Sequence, residues 1–245
     1  MNKLNNDVIE FLQKLIKTCT ICGIEQVAIE SDVIRGVAAD HEKGIFLIET
    51  DNLITLPFPA IGLGRIKTLS ARLAILDKDN LTIGYSGAER DNGDFLVKKL
   101  HLSSKKTKVD YSCYDPSRIR AQRNFRDEFV YKFTISEDTL KIMSKAVAAI
   151  ETSKISFSSD KEGNVRFLTS DTSGDMFDHE VSNDLEISDT AHKQNFFNSY
   201  EIKYVLPLFK ASIDTSGKLD IEMSNRGVIR VYINGFAILV VPERG

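Results

Sequence analysis

The sequence predicts an α+β protein built from two copies of one unit, with antiparallel sheets and few helices. The first observation is a 3-4-3 spacing of apolar residues that recurs along the chain and is typical of a helix with one buried face. The second is a series of short apolar segments separated by turn sequences such as HEKG, RDNGD and DKEGN. Connections this short suit antiparallel hairpins and leave no room for helical crossovers between most strands.

A helix pattern near the N-terminus recurs in the second half of the chain, together with the strand that follows it. The strands QVAIESD (26–32) and KISFSSD (154–160) lie at the same distance from their helices, so the two copies match without a gap. The apolar stripes of the two helices are Leu12, Leu15, Cys19 and Cys22 in the first, and Leu140, Met143, Val147 and Ile150 in the other.

A second helix pattern also recurs, again once in each half. LTIGYSG (81–87) and LDIEMSNRG (219–227) are the strands that follow its two copies. Self-similarity of this kind indicates an internal duplication. We therefore predict a first domain over 1–113, a connector over 114–128 and a second domain over 129–245. The stripes are Ile66, Leu69, Leu73 and Leu76, and then Ile202, Val205 and Phe209.

Cys19-x-x-Cys22 raises the question of a metal or redox site. One such pair supplies two thiolates, whereas a structural zinc site needs four ligands, and Cys113 and the four histidines provide no second pair. A thioredoxin-type pair would open a helix after a strand, and here the order is reversed. We predict that both cysteines are core residues at the end of a helix, with no metal and no cofactor.

Local signals mark two helix starts and one position inside a helix. Ser136 precedes two acids and is a predicted N-cap. Asn198 with Glu201 three residues later resembles a capping box. Pro207 lies inside the fourth helix pattern, so we expect a kink or an early stop there.

Positive charge is concentrated on the four predicted helices. The chain has a formal net charge of -3, yet 5–18, 65–77, 137–150 and 199–212 together hold nine basic and six acidic residues. Any amphipathic helix shows lysines to solvent, but four basic faces in an acidic protein suggest one shared positive surface. The residues predicted to form it are Lys14, Lys17, Arg65, Lys67, Arg72, Lys141, Lys145, Lys203 and Lys210.

Composition narrows the setting in which the protein works. The chain is 42% hydrophobic and 27% charged, which is typical of a folded soluble protein. No apolar run approaches the roughly 20 residues of a membrane span, so we expect no membrane partner. The N-terminus carries no evident secretory signal, and three cysteines argue against a disulfide framework. We expect a cytoplasmic protein.

In the pattern and order of its helices and strands, the chain resembles the DNA sliding clamps. Among them it resembles the two-domain trimeric clamps, most closely those of tailed phages. The likeness rests on the duplicated helix–strands–helix–strands halves and on the passage from Tyr111 to Phe167. That passage holds a strand ending in an Asp-Pro turn, a linker, and an F-x-I-x-x-x-x-L motif at the start of a helix. The closing FAILVVPERG also resembles the final strand and tail of the family.

The resemblance implies a homotrimeric ring with sheets outside and two helices per domain lining a hole that holds duplex DNA. It implies a processivity factor in DNA replication, not an enzyme, whose partners are the polymerase and the clamp loader, in the host cytoplasm if the protein is phage-encoded. Neighbouring subunits would pair through Lys106–Cys113 and Asp175–Ser182. Partner peptides would enter an apolar pocket at Ile119, Leu239, Val241 and Pro242.

Two other functions remain open. TSDTSGDMFDHE (169–180) holds five acidic or imidazole side chains, which suggests a metal-dependent hydrolase, although neighbouring residues of a strand point to opposite faces. Gly62-x-Gly64 before Arg65 is a fragment of a phosphate loop that lacks the third glycine and has no predicted strand before it, and is better explained as the start of a helix. A duplicated α+β scaffold that binds partners other than DNA is the second alternative.

Overall fold

The computed structural model describes residues 2–30, 33–38, 45–49, 55–91, 93–119, 127–213 and 215–243. The chain divides into two compact units: the first holds Met1–Arg123 with Asn234–Ala237, and the second holds Asn124–Ile233 with Ile238–Gly245. The division falls inside the segment predicted as the connector. Of the four connector arginines, only Arg118 lies among the described residues. Among those residues, no helix combines the length and the apolar character needed to cross a bilayer.

The first unit consists of two helices and a set of strands that pair mainly antiparallel. Its strands follow the order β1-β6-β7-β5-β2-β3, and β8 also pairs with β7. The one parallel contact among the described pairs joins β5 to β7. The elements are β1 Asn2–Lys3, α1 Asn6–Ile21, β2 Ile24–Glu30, β3 Ile34–Ala38, β4 Ile45–Glu49, β5 Ala60–Leu63, α2 Ile66–Ala74, β6 Thr82–Glu89, β7 Phe95–Ser104 and β8 Thr107–Ser112.

Helix α1 forms because its cap and its apolar stripe agree. Asn5 accepts a hydrogen bond from the backbone N–H of Val8 at 2.9 Å, which satisfies one of the free donors at the helix start. Leu12, Leu15 and Cys19 are all at most 1% exposed, so the stripe is core. The helix packs against α2 and the strand β2.

The second unit repeats this order of elements with one more strand between its helices. One sheet has the order β12-β11-β10-β14, and β13-β9-β15-β16-β17 are consecutive in another. The elements are β9 Phe129–Ser136, α3 Glu137–Ile150, β10 Lys154–Ser159, β11 Val165–Ser170, β12 Met176–Ser182, β13 Glu186–Ile187, β14 Phe197–Glu201, α4 Ile202–Ser212, β15 Lys218–Ser224, β16 Ile229–Ile233 and β17 Phe236–Val240.

The core of the second unit is centred on Phe157 of β10. Its ring is fully buried and has its centroid 6.0–6.2 Å from those of four other aromatic rings. Tilted aromatic pairs at such distances add to the free energy of simple burial. The four partners are Phe133, Phe167, Tyr200 and Phe209.

The predicted α+β class, the four helices and the cap at Ser136 are confirmed, since Ser136 Oγ accepts from the Thr139 N–H at 3.1 Å. The prediction of a capping box at Asn198 is wrong, because β14 pairs with β10 through Glu201 and α4 begins only at Ile202. The helix continues through Pro207 to Ser212, so the early stop does not occur, and the alternative of a kink at Pro207 stays a prediction.

Candidate nucleic-acid interface

The basic residues predicted to bind DNA lie on the polar sides of the four helices. Eight of the nine are exposed, and Arg72 is half-buried. Each helix turns its apolar stripe into the core of its own unit, which leaves the lysines in solvent. Within the units, α1 contacts α2 and α3 contacts α4, so each unit presents a pair of adjacent basic helices.

Three of these lysines are held by acidic neighbours. Lys14 Nζ lies 2.7 Å from Glu10 Oε1, one turn earlier on α1. Lys141 lies 3.1 Å from carboxylate oxygens of both Glu137 and Asp138. Lys203 Nζ lies 2.8 Å from Glu201. Exposed pairs of this kind stabilise a fold by about 0–1 kcal/mol, so a phosphate group can compete for the lysine.

Four other lysines have no ion-pair partner among the described residues: Lys17, Lys67, Lys145 and Lys210. All four are exposed, one on each helix. Their ammonium groups are therefore available to an anionic ligand without first breaking a pair.

Arg65 and Arg72, at the start and in the last turn of α2, both make contacts within the first unit. Arg65 is the N-cap of the helix with φ +51°, and its guanidinium lies 5.8 Å from the centroid of the Tyr111 ring. Arg72 Nη1 donates to the backbone oxygen of Asp110 at 2.9 Å. Arg72 therefore stabilises the edge of β8, and this contact competes with any contact to DNA.

Each unit has a strand with an unpaired edge. β8 pairs only with β7, and β12 pairs only with β11, among the strands that the structure describes. Hydrogen bonding alternates along an antiparallel pair, and the Cys113 N–H donates to Lys98 O across β7 and β8. It follows that the N–H and C=O groups of Lys108 and Asp110 point away from β7. These are the strands that the resemblance assigns to the contact between subunits.

The residues predicted to hold partner peptides are divided between the units. Ile119 is 6% exposed, packs against Ala28 and Tyr114, and lines a cavity of about 400 Å³ in the first unit. Leu239 is 2% exposed in β17, whereas Val241 and Pro242 are half-buried. The peptide pocket stays a prediction.

The acid-rich segment 169–180 does not gather its side chains at one point. Asp171 accepts hydrogen bonds from the backbone N–H groups of Ser173 and Asp175, which closes the turn between β11 and β12. Asp178 pairs with Arg166 at 2.8 Å. Within the described part of the chain, no group of three or more potential metal ligands is found. The hydrolase alternative gains no support.

The two cysteines of the C-x-x-C pair are core residues, as predicted. Cys19 is fully buried and Cys22 is 4% exposed. Burial raises the pKa of the Cys19 thiol well above its usual value and that of Cys22 to about 12. Both thiols are therefore protonated at neutral pH, which is the opposite of what metal binding or redox chemistry requires.

Similar proteins are found among solved structures. No protein-family model and no curated protein matches the chain. A. fulgidus PCNA, in a structure bound to the C-terminal region of FEN-1, is 15% identical with a TM-score of 0.60, and 96% of each chain is covered. Thermococcus kodakaraensis PCNA is 13% identical with a TM-score of 0.64, again over 96% of each chain. Proliferating Cellular Nuclear Antigen from Entamoeba histolytica is 13% identical with a TM-score of 0.62, over 95% of each.

These likenesses define the class of fold. The chain has the duplicated α+β fold of the PCNA sliding clamps over nearly its whole length, and this prediction is confirmed. The tailed-phage subtype stays a prediction.

One group of polar side chains on three neighbouring strands of the first unit is not among the residues predicted from the sequence: Ser86, His101 and Asp110. No motif joins these residues, because they are well separated along the chain and meet only through strand pairing. The alternation of polar and apolar residues in the three strands is the only signal that could have placed them on one face.

Proposed function

We propose that this chain is a sliding clamp: three copies close head to tail into a ring that encircles duplex DNA and tethers the replicative polymerase. The clamp fold over 96% of the chain carries the proposal. The protein acts as a scaffold that binds the phosphate backbone of DNA, without regard to base sequence.

The charge distribution supports this function. Sliding requires contacts to phosphates, because contacts to base edges would favour one sequence and stop movement. Exposed lysines on all four helices supply flexible positive charge, and the remainder of the chain is acidic, which discourages DNA from binding elsewhere. Ring closure, not tight binding, keeps the clamp on DNA.

The free edges of β8 and β12 support the ring. A head-to-tail contact needs two different edges on each subunit, and a closed ring leaves neither of them unpaired. One edge lies in each unit of this chain. With two units per subunit, three subunits would give six units around the hole.

Peptides of the polymerase and the clamp loader would bind near the connector, where Ile119 lines its cavity. The A. fulgidus PCNA structure, with the C-terminal region of FEN-1 bound, is an example of a clamp-fold protein that holds a partner by a terminal segment.

Two measurements test the proposal. Light scattering should give three times the chain mass of 27.5 kDa. Subunits should then be concentrated with nicked circular DNA, so that rings assemble around it, and washed with salt. Retention on the circle, and release when a restriction enzyme linearises the same DNA, are the expected results. A monomer at micromolar concentration, or equal retention on circular and linear DNA, would contradict the proposal and favour a scaffold that does not encircle DNA.

A further inference from the structure

Three polar side chains form a hydrogen-bonded row across β6, β7 and β8. Ser86 Oγ lies 2.8 Å from His101 Nε2, and His101 Nδ1 lies 2.7 Å from Asp110 Oδ1. A hydroxyl, an imidazole and a carboxylate joined in this order are the groups that activate a serine as a nucleophile.

Strand register brings the three residues together. His101 pairs directly with Asp110, while Ser86 lies diagonally across from His101 and pairs with Lys99. The residue directly opposite His101 on β6 is Gly84, which has no side chain and leaves space for the ring to lean towards Ser86.

A β-bulge fixes the direction of Ser86. The register between β6 and β7 shifts at Ser86 and Gly87, and such irregularities re-aim a neighbouring side chain. A Cβ atom at Gly87 would lie only 1.9 Å from the backbone oxygen of Leu96, so only glycine fits the bulge.

Asp110 sets the state of the imidazole. Its hydrogen bond to His101 is the main cause that holds the pKa of the carboxyl below its usual value, and Lys99 contributes through its charge. A carboxylate can only accept, so Nδ1 donates to it, and in the neutral ring Nε2 is left to accept the Ser86 hydroxyl proton. The bond from Arg72 to the Asp110 backbone oxygen holds this part of β8 in place.

We propose that Ser86 is an activated nucleophile, a site at which the protein takes an acyl group from an activated ester. Ser86 Oγ bonds to the carbonyl carbon of the ester, and the bond from that carbon to the leaving oxygen breaks. The hydroxyl proton passes to His101 Nε2 and then to the leaving alcohol, so that an acyl-serine and a free alcohol are formed without any other reactant. His101 acts as the base, and Asp110 is a positioning residue.

The proposal concerns acyl transfer to the protein and not turnover. The cavity beside Ile119 and the cavity beside Phe197 are not lined by Ser86, His101 or Asp110. All three residues belong to the first unit, so the proposed step requires no residue of a neighbouring subunit.

Ser112 provides a matched control within the same chain. Lys99 pairs with Ser86 on one side and with Ser112 on the other, so both serines lie beside the same ammonium group on the same face of the sheet. Only Ser86 is hydrogen-bonded to an imidazole among the described contacts of these two residues.

The test is acetylation of the whole protein by p-nitrophenyl acetate, followed by peptide mass spectrometry. A positioned general base accelerates such a step by about 10²–10⁴-fold, so we expect Ser86 to be acetylated at least about tenfold faster than Ser112. Equal rates at the two serines would overturn the proposal.

Variants separate activation from simple exposure. His101→Gln keeps two hydrogen-bonding groups but cannot take the proton, and should lower the rate at Ser86 to that at Ser112. Asp110→Asn, on β8, should also lower the rate of acetylation at Ser86. This variant provides the test if His101→Gln does not fold. Circular dichroism and solution mass verify each variant. An unchanged rate at Ser86 in a folded variant would contradict the assignment.

Discussion

Lys14 and Glu10 form an ion pair of 2.7 Å along the exposed side of α1, with more than half of each side chain in solvent. The hydrogen bond and charge of Lys14 lower the pKa of the Glu10 carboxyl. Glu10 therefore stays ionised at neutral pH and competes with any phosphate for the lysine.

Glu10→Gln should strengthen DNA binding. The change removes one negative charge from the helix surface and frees Lys14, so the dependence of binding on salt should steepen, by up to roughly 0.9 in the slope of log K against log salt. Fluorescence anisotropy with a short duplex at several salt concentrations measures this slope. Glu25→Gln, the same change on the exposed side of β2, is the control and should have little effect. Equal slopes for Glu10→Gln and the unmodified protein would argue against α1 as a DNA-binding helix.

Lys67→Glu should weaken equilibrium binding to a short duplex without changing the fold. Lys67 is exposed on α2 and has no ion-pair partner among the described residues, so its whole charge is available to phosphate. Each lost phosphate contact should reduce the slope of log K against log salt by roughly 0.9, which fluorescence anisotropy measures. Lys132→Glu makes the same charge change on an exposed position of β9 and should leave duplex binding nearly intact. If both variants weaken duplex binding equally, the helices are not the DNA-binding surface.

Lys108→Pro should dissociate the trimer. Its N–H points away from β7, so proline breaks no bond within the first unit but removes a donor that a neighbouring strand would need. Lys108→Ala keeps the N–H and removes only the charge. Light scattering should give three times the single-chain mass of 27.5 kDa for the alanine variant, and a value near the single-chain mass for the proline variant. A trimeric proline variant would exclude β8 from the contact between subunits.

Phe157→Ala should lower the free energy of unfolding by about 3–5 kcal/mol, because it leaves a cavity among four aromatic rings. Phe197 is the matched control, since it lies on the adjacent strand β14 with 66% of its surface exposed. Phe197→Ala should cost much less. Urea titration of the two variants makes the comparison, and similar losses would mean that the core is not centred on Phe157.

The burial of Cys22 predicts a loss of stability at alkaline pH. Its pKa is raised to about 12 in the folded state, whereas an exposed thiol ionises near 9, so the unfolded chain releases the proton first. The free energy of unfolding should then fall between pH 9 and 12, by up to about 1.4 kcal/mol per pH unit from this thiol. Cys22→Ala should remove that part of the slope. Denaturant titrations at pH 8 and 10 measure the change in the free energy of unfolding. If that change is the same for Cys22→Ala and for the unmodified protein, the prediction is refuted.

Local patterns predicted the helices and the core cysteines well. The stripe of α1 is a property of spacing within one segment, and it needs only an apolar neighbour to be buried. The cap at Asn198 failed for the opposite reason: β14 pairs with β10 as far as Glu201, and those hydrogen bonds with a distant strand outweigh a local capping preference.

By itself, the sequence determined which faces are apolar, which are basic, and that one unit occurs twice, because periodicity and charge are read within short segments. Tertiary structure decided which of the described strands keep a free edge, namely β8 and β12. It also decided which distant residues meet: Arg72 with Asp110, and the row from Ser86 to Asp110. The row depends on strand register and on a bulge at Gly87, and a shift of one residue would turn each of its side chains to the other face. Pairing partners distant in the chain therefore control such contacts, and no local pattern contains them.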